Sequence, residues 1–186
     1  MYPVNICIYN GTFYRDIKAA QYAVFFDLLG VPFNYEPALF SFGKIDYCPD
    51  FFLPSLNCWL EVKSKCPDIE ARFKAIKLSK ITGEKVYISI GFFTSSNYPI
   101  LYKFRGDTRD YTRCSWIWNP DTQIELMTED GLEKMNYERR RKVFWEMAEA
   151  ADKALATTFE IKYMQLGFEG KPIIKEDRTG FDPVWG

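Results

Sequence analysis

Tyr47-Cys-Pro-Asp-Phe-Phe-Leu-Pro54 and Cys58-Trp-Leu-Glu-Val-Lys63 are the two runs that decide how this chain is read. The first is aromatic and apolar and closes at the turn Pro54-Ser-Leu-Asn57. The second returns beside it, so the pair reads as a β-hairpin. Side chains alternate along a strand, which puts Glu61 and Lys63 on one face and Leu60 and Val62 on the other. Asp50 on the neighbouring strand then adds a second carboxylate beside one ammonium. Two carboxylates and a lysine on adjacent strands can hold a divalent cation next to a phosphodiester.

The same short strings occur elsewhere without that context. Pro67-Asp68 is followed by Glu70-Ala-Arg72, which lacks the lysine and lies at a helix start. Pro120-Asp121 meets no partner until Glu160-Ile-Lys162, at the end of a helical pattern. Only the first pair is carried by a strand, a turn and a strand.

Working outward, Val4 to Tyr9 reads as a short strand before the Asn10-Gly11 turn. Ile17, Ala20, Val24, Phe25, Leu28 and Leu29 recur at helical spacing, predicting an amphipathic helix over 15–29 capped by Gly30. Phe33 to Phe42 reads as extended, interrupted at Pro37. Asp68 is a candidate N-cap for a second helix through Ile81, with Ile69, Phe73 and Ile76 on one side and Gly83 ending it. Lys85 to Ile90 is a strand entered from that helix, so a parallel crossover is expected. Ile100 to Arg105, Cys114 to Asn119 and Gln123 to Met127 read as short antiparallel strands or loops. A long helix follows over 137–158, with Val143, Phe144, Met147, Ala151, Ala154 and Leu155 on its apolar face. Residues 1–160 are expected to form one domain, and 161–186 an irregular tail.

Composition sets the limits. The chain has 186 residues, 47% hydrophobic and 18% aromatic, enough for one well-packed core. Its net charge of −1 provides no global basic field, so nucleic-acid binding would need local basic clusters. No apolar run reaches the length of a membrane span, and no signal peptide is read at the N-terminus; a cytoplasmic protein without a membrane partner is expected. The five cysteines show no C-x-x-C spacing and read as reduced, mostly buried thiols. There is no histidine. That excludes Ser-His triads and His-ligated metals, leaving carboxylates, lysines or a thiol for any catalysis.

Taken together, Tyr22-Ala-Val-Phe-Phe-Asp-Leu-Leu-Gly-Val-Pro-Phe-Asn-Tyr-Glu-Pro37, the two hairpin runs and Thr82-Gly-Glu-Lys-Val-Tyr-Ile-Ser-Ile-Gly91 resemble the PD-(D/E)XK nuclease superfamily. The likeness is closest to its small phage and prophage members, strongly over 15–91 and weakly to about 160. The resemblance implies an α/β fold with a restriction-endonuclease-like αβββαβ core, a mixed central sheet and a C-terminal helix. It implies a metal-dependent nuclease, acting on DNA, located in the host cytoplasm if phage-encoded. Asp50 and Glu61 would be Mg²⁺ ligands together with the backbone carbonyl of Val62, with Mn²⁺ as a substitute. Lys63 would orient or activate the attacking water, and beside two carboxylates it should stay charged.

The chain departs from that pattern at one position. A helix glutamate usual in the family aligns with Ala19, and Asp16 or Glu36 are the candidates to replace it. The related proteins also carry paired cysteines after the core, where this chain has Cys114 alone, so no structural zinc is expected. The alternative reading is a weakened nuclease fold that binds nucleic acid or a host protein. Lys74, Lys77 and Lys80 read as a phosphate track or as a solvated helix face. Arg139, Arg140 and Arg141 open the long helix, where positive charge opposes the helix dipole, and are candidates for nucleic-acid backbone contact. Trp116 and Trp118 read as sheet packing or base stacking, and Cys48 and Cys58 as small buried packers flanking the site.

Overall fold

The computed structural model describes residues 4–92, 99–104, 112–119, 123–128, 137–164, 171 and 173–175. Two β-strands, β1 (Val4–Tyr9) and β2 (Thr12–Tyr14), precede α1 (Ile17–Leu28). Asp16 caps α1 by accepting the Lys18 N–H at 2.6 Å, and Gly30 (φ 65°) turns the chain out of it. The amphipathic reading of α1 needs correction: Ile17 and Leu28 are exposed, while Ala19, Ala20, Tyr22, Ala23, Val24, Phe25 and Phe26 are buried. The helix is covered on more than one side because the late helix α3 (Tyr137–Ala156) also packs on it.

Next come β3 (Asn34–Tyr35), β4 (Leu39–Phe42), β5 (Ile45–Tyr47), β6 (Phe51–Leu53) and β7 (Cys58–Lys63). The single strand expected over Tyr47 to Pro54 is divided. β5 pairs with β4, while β6 starts only at Phe51 and pairs with β7. The turn between β6 and β7 is a 3₁₀ segment, Pro54–Leu56, closed by Asn57 in the left-handed region (φ 46°), a conformation that asparagine tolerates. After α2 (Ile69–Thr82), β8 (Lys85–Ile90) runs parallel to β7, giving the expected crossover. β9 (Ile100–Phe104), β10 (Thr112–Asn119) and β11 (Gln123–Thr128) continue antiparallel.

Among the described residues the main sheet has the order β11-β10-β9-β8-β7-β6-β3, and its single parallel pair makes it mixed. Two three-stranded sheets flank it. One is β12-β1-β2, with β12 being Glu160–Met164; the other is β13-β4-β5, with β13 being Ile173–Lys175. The segment read as an irregular tail therefore carries two strands, each held by an N-terminal partner. β12 pairs with β1 and β13 with β4.

The alternation of β7 divides the core. Cys58 and Leu60 face α1 and α3, packed with Phe51, Leu53, Phe26 and Met147. Trp59 faces the other way, with Val86, Ile88, Ala75, Leu78 and the aromatics of β4 and β5. Each fully buried Leu or Phe contributes about 1.5–3 kcal/mol by leaving water. α2 is seated by Ala75 and Leu78 rather than by Ile69, which is 86% exposed. No described helix is long and apolar enough to cross a membrane.

Candidate active site

The ladder Phe51↔Leu60 fixes the site. Extended by one position, its register sets Asp50 opposite Glu61 on the α2 face. Asp50 lies just before β6, so its side chain can turn inward, where Oδ2 accepts the Val62 N–H at 2.7 Å. Glu61 is 6% exposed. Its Oε2 accepts from the Tyr47 hydroxyl at 3.1 Å, and its Oε1 is ion-paired with Lys63 Nζ. Lys63 keeps its head partly in water.

The electrostatics follow from this crowding. Burial, then the nearby Glu61 charge, push the Asp50 carboxyl well above the usual carboxylate range, against the Val62 N–H and Lys63. For Lys63, burial works against its charge, yet Glu61 beside it raises its pKa overall. Burial and the Glu61 charge also push the Tyr47 hydroxyl up, which keeps it a donor. Two acids thus face one ammonium, a charge balance that a bound cation would relieve.

The donors suit a hard cation. In an extended strand the N–H and C=O of one residue share an edge, so the Val62 carbonyl faces the side on which Asp50 captures its N–H. Two carboxylates and a carbonyl match Mg²⁺, which keeps several waters of its own. Glu61 retains lone pairs beyond those used by Tyr47 and Lys63, because a carboxylate offers about four acceptor sites. Among the described residues no three His, Cys, Asp or Glu side chains gather into a metal-holding group. A metal here would depend on the carbonyl and on water.

An open cleft of about 510 Å³ adjoins Glu61 and Lys63, bounded also by Lys65, Asp68, Lys74 and Tyr47. Asp68 caps α2 by accepting the Ala71 N–H at 2.8 Å, which explains why the second Pro-Asp string is not a site of the same kind. Lys74 lines the cleft, bonded to Glu70 at 2.6 Å and 6.0 Å from the centre of the Tyr47 ring. Lys77 instead lies over Phe73 of its own helix, at 5.7 Å. Lys80 sits in the last turn of α2, beyond the cleft lining. Arg139, Arg140 and Arg141 fall in the first turns of α3, and their side chains lie outside the described residues, as do those of Trp116, Trp118 and Cys114.

Neither Asp16 nor Glu36, the candidates for a third acid, joins the acidic pair. Ala19 is 1% exposed inside the α1 core. Asp16 is committed to capping α1. Glu36 is buried but held by Arg15 at 2.9 Å and Lys171 at 2.5 Å. Of the cysteines, Cys58 is buried as expected, Cys48 is half-buried and Cys66 is exposed on the cleft rim. Burial, then the Glu36 charge, raise the Cys48 thiol to about 12, so it is not a nucleophile.

Sequence reasoning missed Tyr47 and Lys171. Tyr47 belongs to the quoted run, three residues before Asp50. Lys171 gave no local signal. No family model, curated protein or solved structure matches this chain.

Proposed function

We propose that this protein is a Mg²⁺-dependent nuclease with a restriction-endonuclease-like core, hydrolysing phosphodiester bonds in DNA. The observation that carries the reading is Glu61, set opposite Asp50 by the β6–β7 register and ion-paired with Lys63, on a cleft edged by Lys65 and Lys74. The run β3-β6-β7-β8, antiparallel twice and then parallel, supports the αβββαβ order that the resemblance implies.

Asp50, Glu61 and the Val62 carbonyl would hold the ion. When bound, Mg²⁺ polarises the scissile phosphate and lowers the pKa of a bound water. Lys63 remains protonated at neutral pH, so it serves by orienting the water and stabilising the charge that develops on the phosphate, not by removing a proton. Tyr47 holds the Glu61 oxygen that Lys63 does not pair with. Lys65 and Lys74 supply positive charge along the cleft for the flanking phosphates.

The second reading, a weakened nuclease fold that binds nucleic acid or a host protein, is favoured by the buried Ala19 and the engaged Glu36. Cleavage of single- and double-stranded DNA and RNA with Mg²⁺ or Mn²⁺ separates the two. The nuclease reading expects activity that Asp50→Ala and Lys63→Ala both abolish. Inactivity of the wild type, or equal residual cleavage by all three folded proteins, refutes it.

A further inference from the structure

Glu36 is an anomaly of conformation. Among the described residues three non-glycines have positive φ: Asn10, Asn57 and Glu36. The asparagines occupy turns, where the left-handed region suits them. Glutamate has no such preference, and Glu36 holds φ 42° with its side chain buried. A strained backbone of this kind persists only where its surroundings over-determine it.

The surroundings do so here. The Glu36 carboxylate accepts from Arg15 Nε at 3.0 Å, from the Tyr35 hydroxyl at 3.2 Å and from Lys171 Nζ at 2.5 Å. Lys171 Nζ also donates to the Glu36 carbonyl at 2.9 Å, so it grips backbone and side chain together. In this conformation the Glu36 N–H points at Asp50 and donates to its carbonyl at 2.7 Å. Asp50 precedes the first ladder residue of β6, and this bond carries the β3–β6 pairing Tyr35↔Phe51 one step further. Lys171 arrives from the far end of the chain, just before β13, which lies parallel to β4 through Ile173↔Leu39.

We propose that Glu36 is a positioning residue for Asp50, and that Lys171, brought by the C-terminal segment, locks it. The pinned carboxylate sets the Glu36 backbone, the Glu36 N–H sets the Asp50 main chain, and Asp50 then meets the Val62 N–H. The inference rests on Asp50 as a ligand in the reading above and extends that site to the last part of the chain. Neither Glu36 nor Lys171 touches substrate or metal in this account.

The test uses the full chain with Lys171→Met, Lys171→Arg and Glu36→Gln. Hydrogen exchange of the Val62 amide reports the Asp50 contact directly, without metal, against the Leu60 and Ile88 amides as core references. Loss of the lock is expected to speed Val62 exchange about tenfold relative to those references. Mn²⁺ affinity, measured by calorimetry, is expected to fall about 10- to 100-fold, the usual consequence of removing support behind a ligand. Lys171→Arg keeps charge and donors and should restore both. If Lys171→Met does not fold, Glu36→Gln, which keeps shape, gives the same readings. A melting temperature that falls while Val62 exchange keeps pace with the references would mean a merely structural contact and overturn the proposal. If the wild type binds no Mn²⁺, the nuclease reading fails by itself, and Val62 exchange still judges the positioning role.

Discussion

Tyr47→Phe is the sharpest single-atom perturbation of the site. The ring would keep its packing with Phe42, at 6.3 Å between centroids, and its place under Lys74. Only the hydroxyl that donates to Glu61 is lost. Hydrogen bonds to charged groups contribute about 1.5–3 kcal/mol, and Tyr47 is buried enough that water does not readily substitute. For a chain of 186 residues, each kcal/mol moves the melting temperature by about 2–4 °C, so the drop should be about 3–12 °C. Because burial and Glu61 hold the hydroxyl far above its ordinary pKa, the penalty should be constant across the neutral and mildly alkaline range. Calorimetric and urea unfolding of the two proteins without metal measures it. A change below about 0.5 kcal/mol, the range of an ordinary surface substitution, would mean that Glu61 does not depend on this donor.

Asp50→Asn should alter the pH dependence of stability. The native Asp50 carboxyl has a raised pKa, so the folded state binds its proton more tightly than the unfolded chain. Metal-free wild type should then lose stability as pH rises from the ordinary carboxylate range toward the native value, and urea melts should show the asparagine variant gaining on it across that window. A parallel pair of curves would count against a raised Asp50 carboxyl. Ala19→Glu, which introduces the helix glutamate usual in the superfamily that the sequence resembles, should cost at least about 3 kcal/mol, because it puts a carboxylate into a 1%-exposed core position. A stable variant with tighter metal binding would contradict that. Lys74→Ala should weaken DNA binding and reduce the slope of log affinity against log salt by about one; an unchanged slope would remove Lys74 from the phosphate track.

The hairpin was legible because its signals are local. A period of two separates Leu60 from Glu61, and Pro54 to Asn57 marks the turn. The Asp68 cap is legible from residue type and spacing, whereas Asp16, expected inside the first helix or as a replacement acid, caps it instead. Failures came where tertiary partners decide. Ile17, Leu28 and Ile69 fit the apolar period yet stay exposed, because small residues such as Ala20 and Ala75 make the close contacts. The division of β5 from β6 follows from β4 recruiting β5 into another sheet, which the run Tyr47 to Pro54 does not reveal. β12 and β13 are short, and each is stabilised by a strand more than a hundred residues earlier. At the site, Asp50, Glu61 and Lys63 could be found from residue types in sequence, whereas the Glu36–Lys171 lock spans 135 positions.

The most direct measurement is calorimetric titration of the metal-free protein with Mn²⁺, in parallel with Asp50→Asn and Glu61→Gln. One saturable site is predicted in the wild type and none in either variant, with all three proteins folded. A wild type that takes up no Mn²⁺, or variants that bind it unchanged, would contradict a cation site built from these two acids.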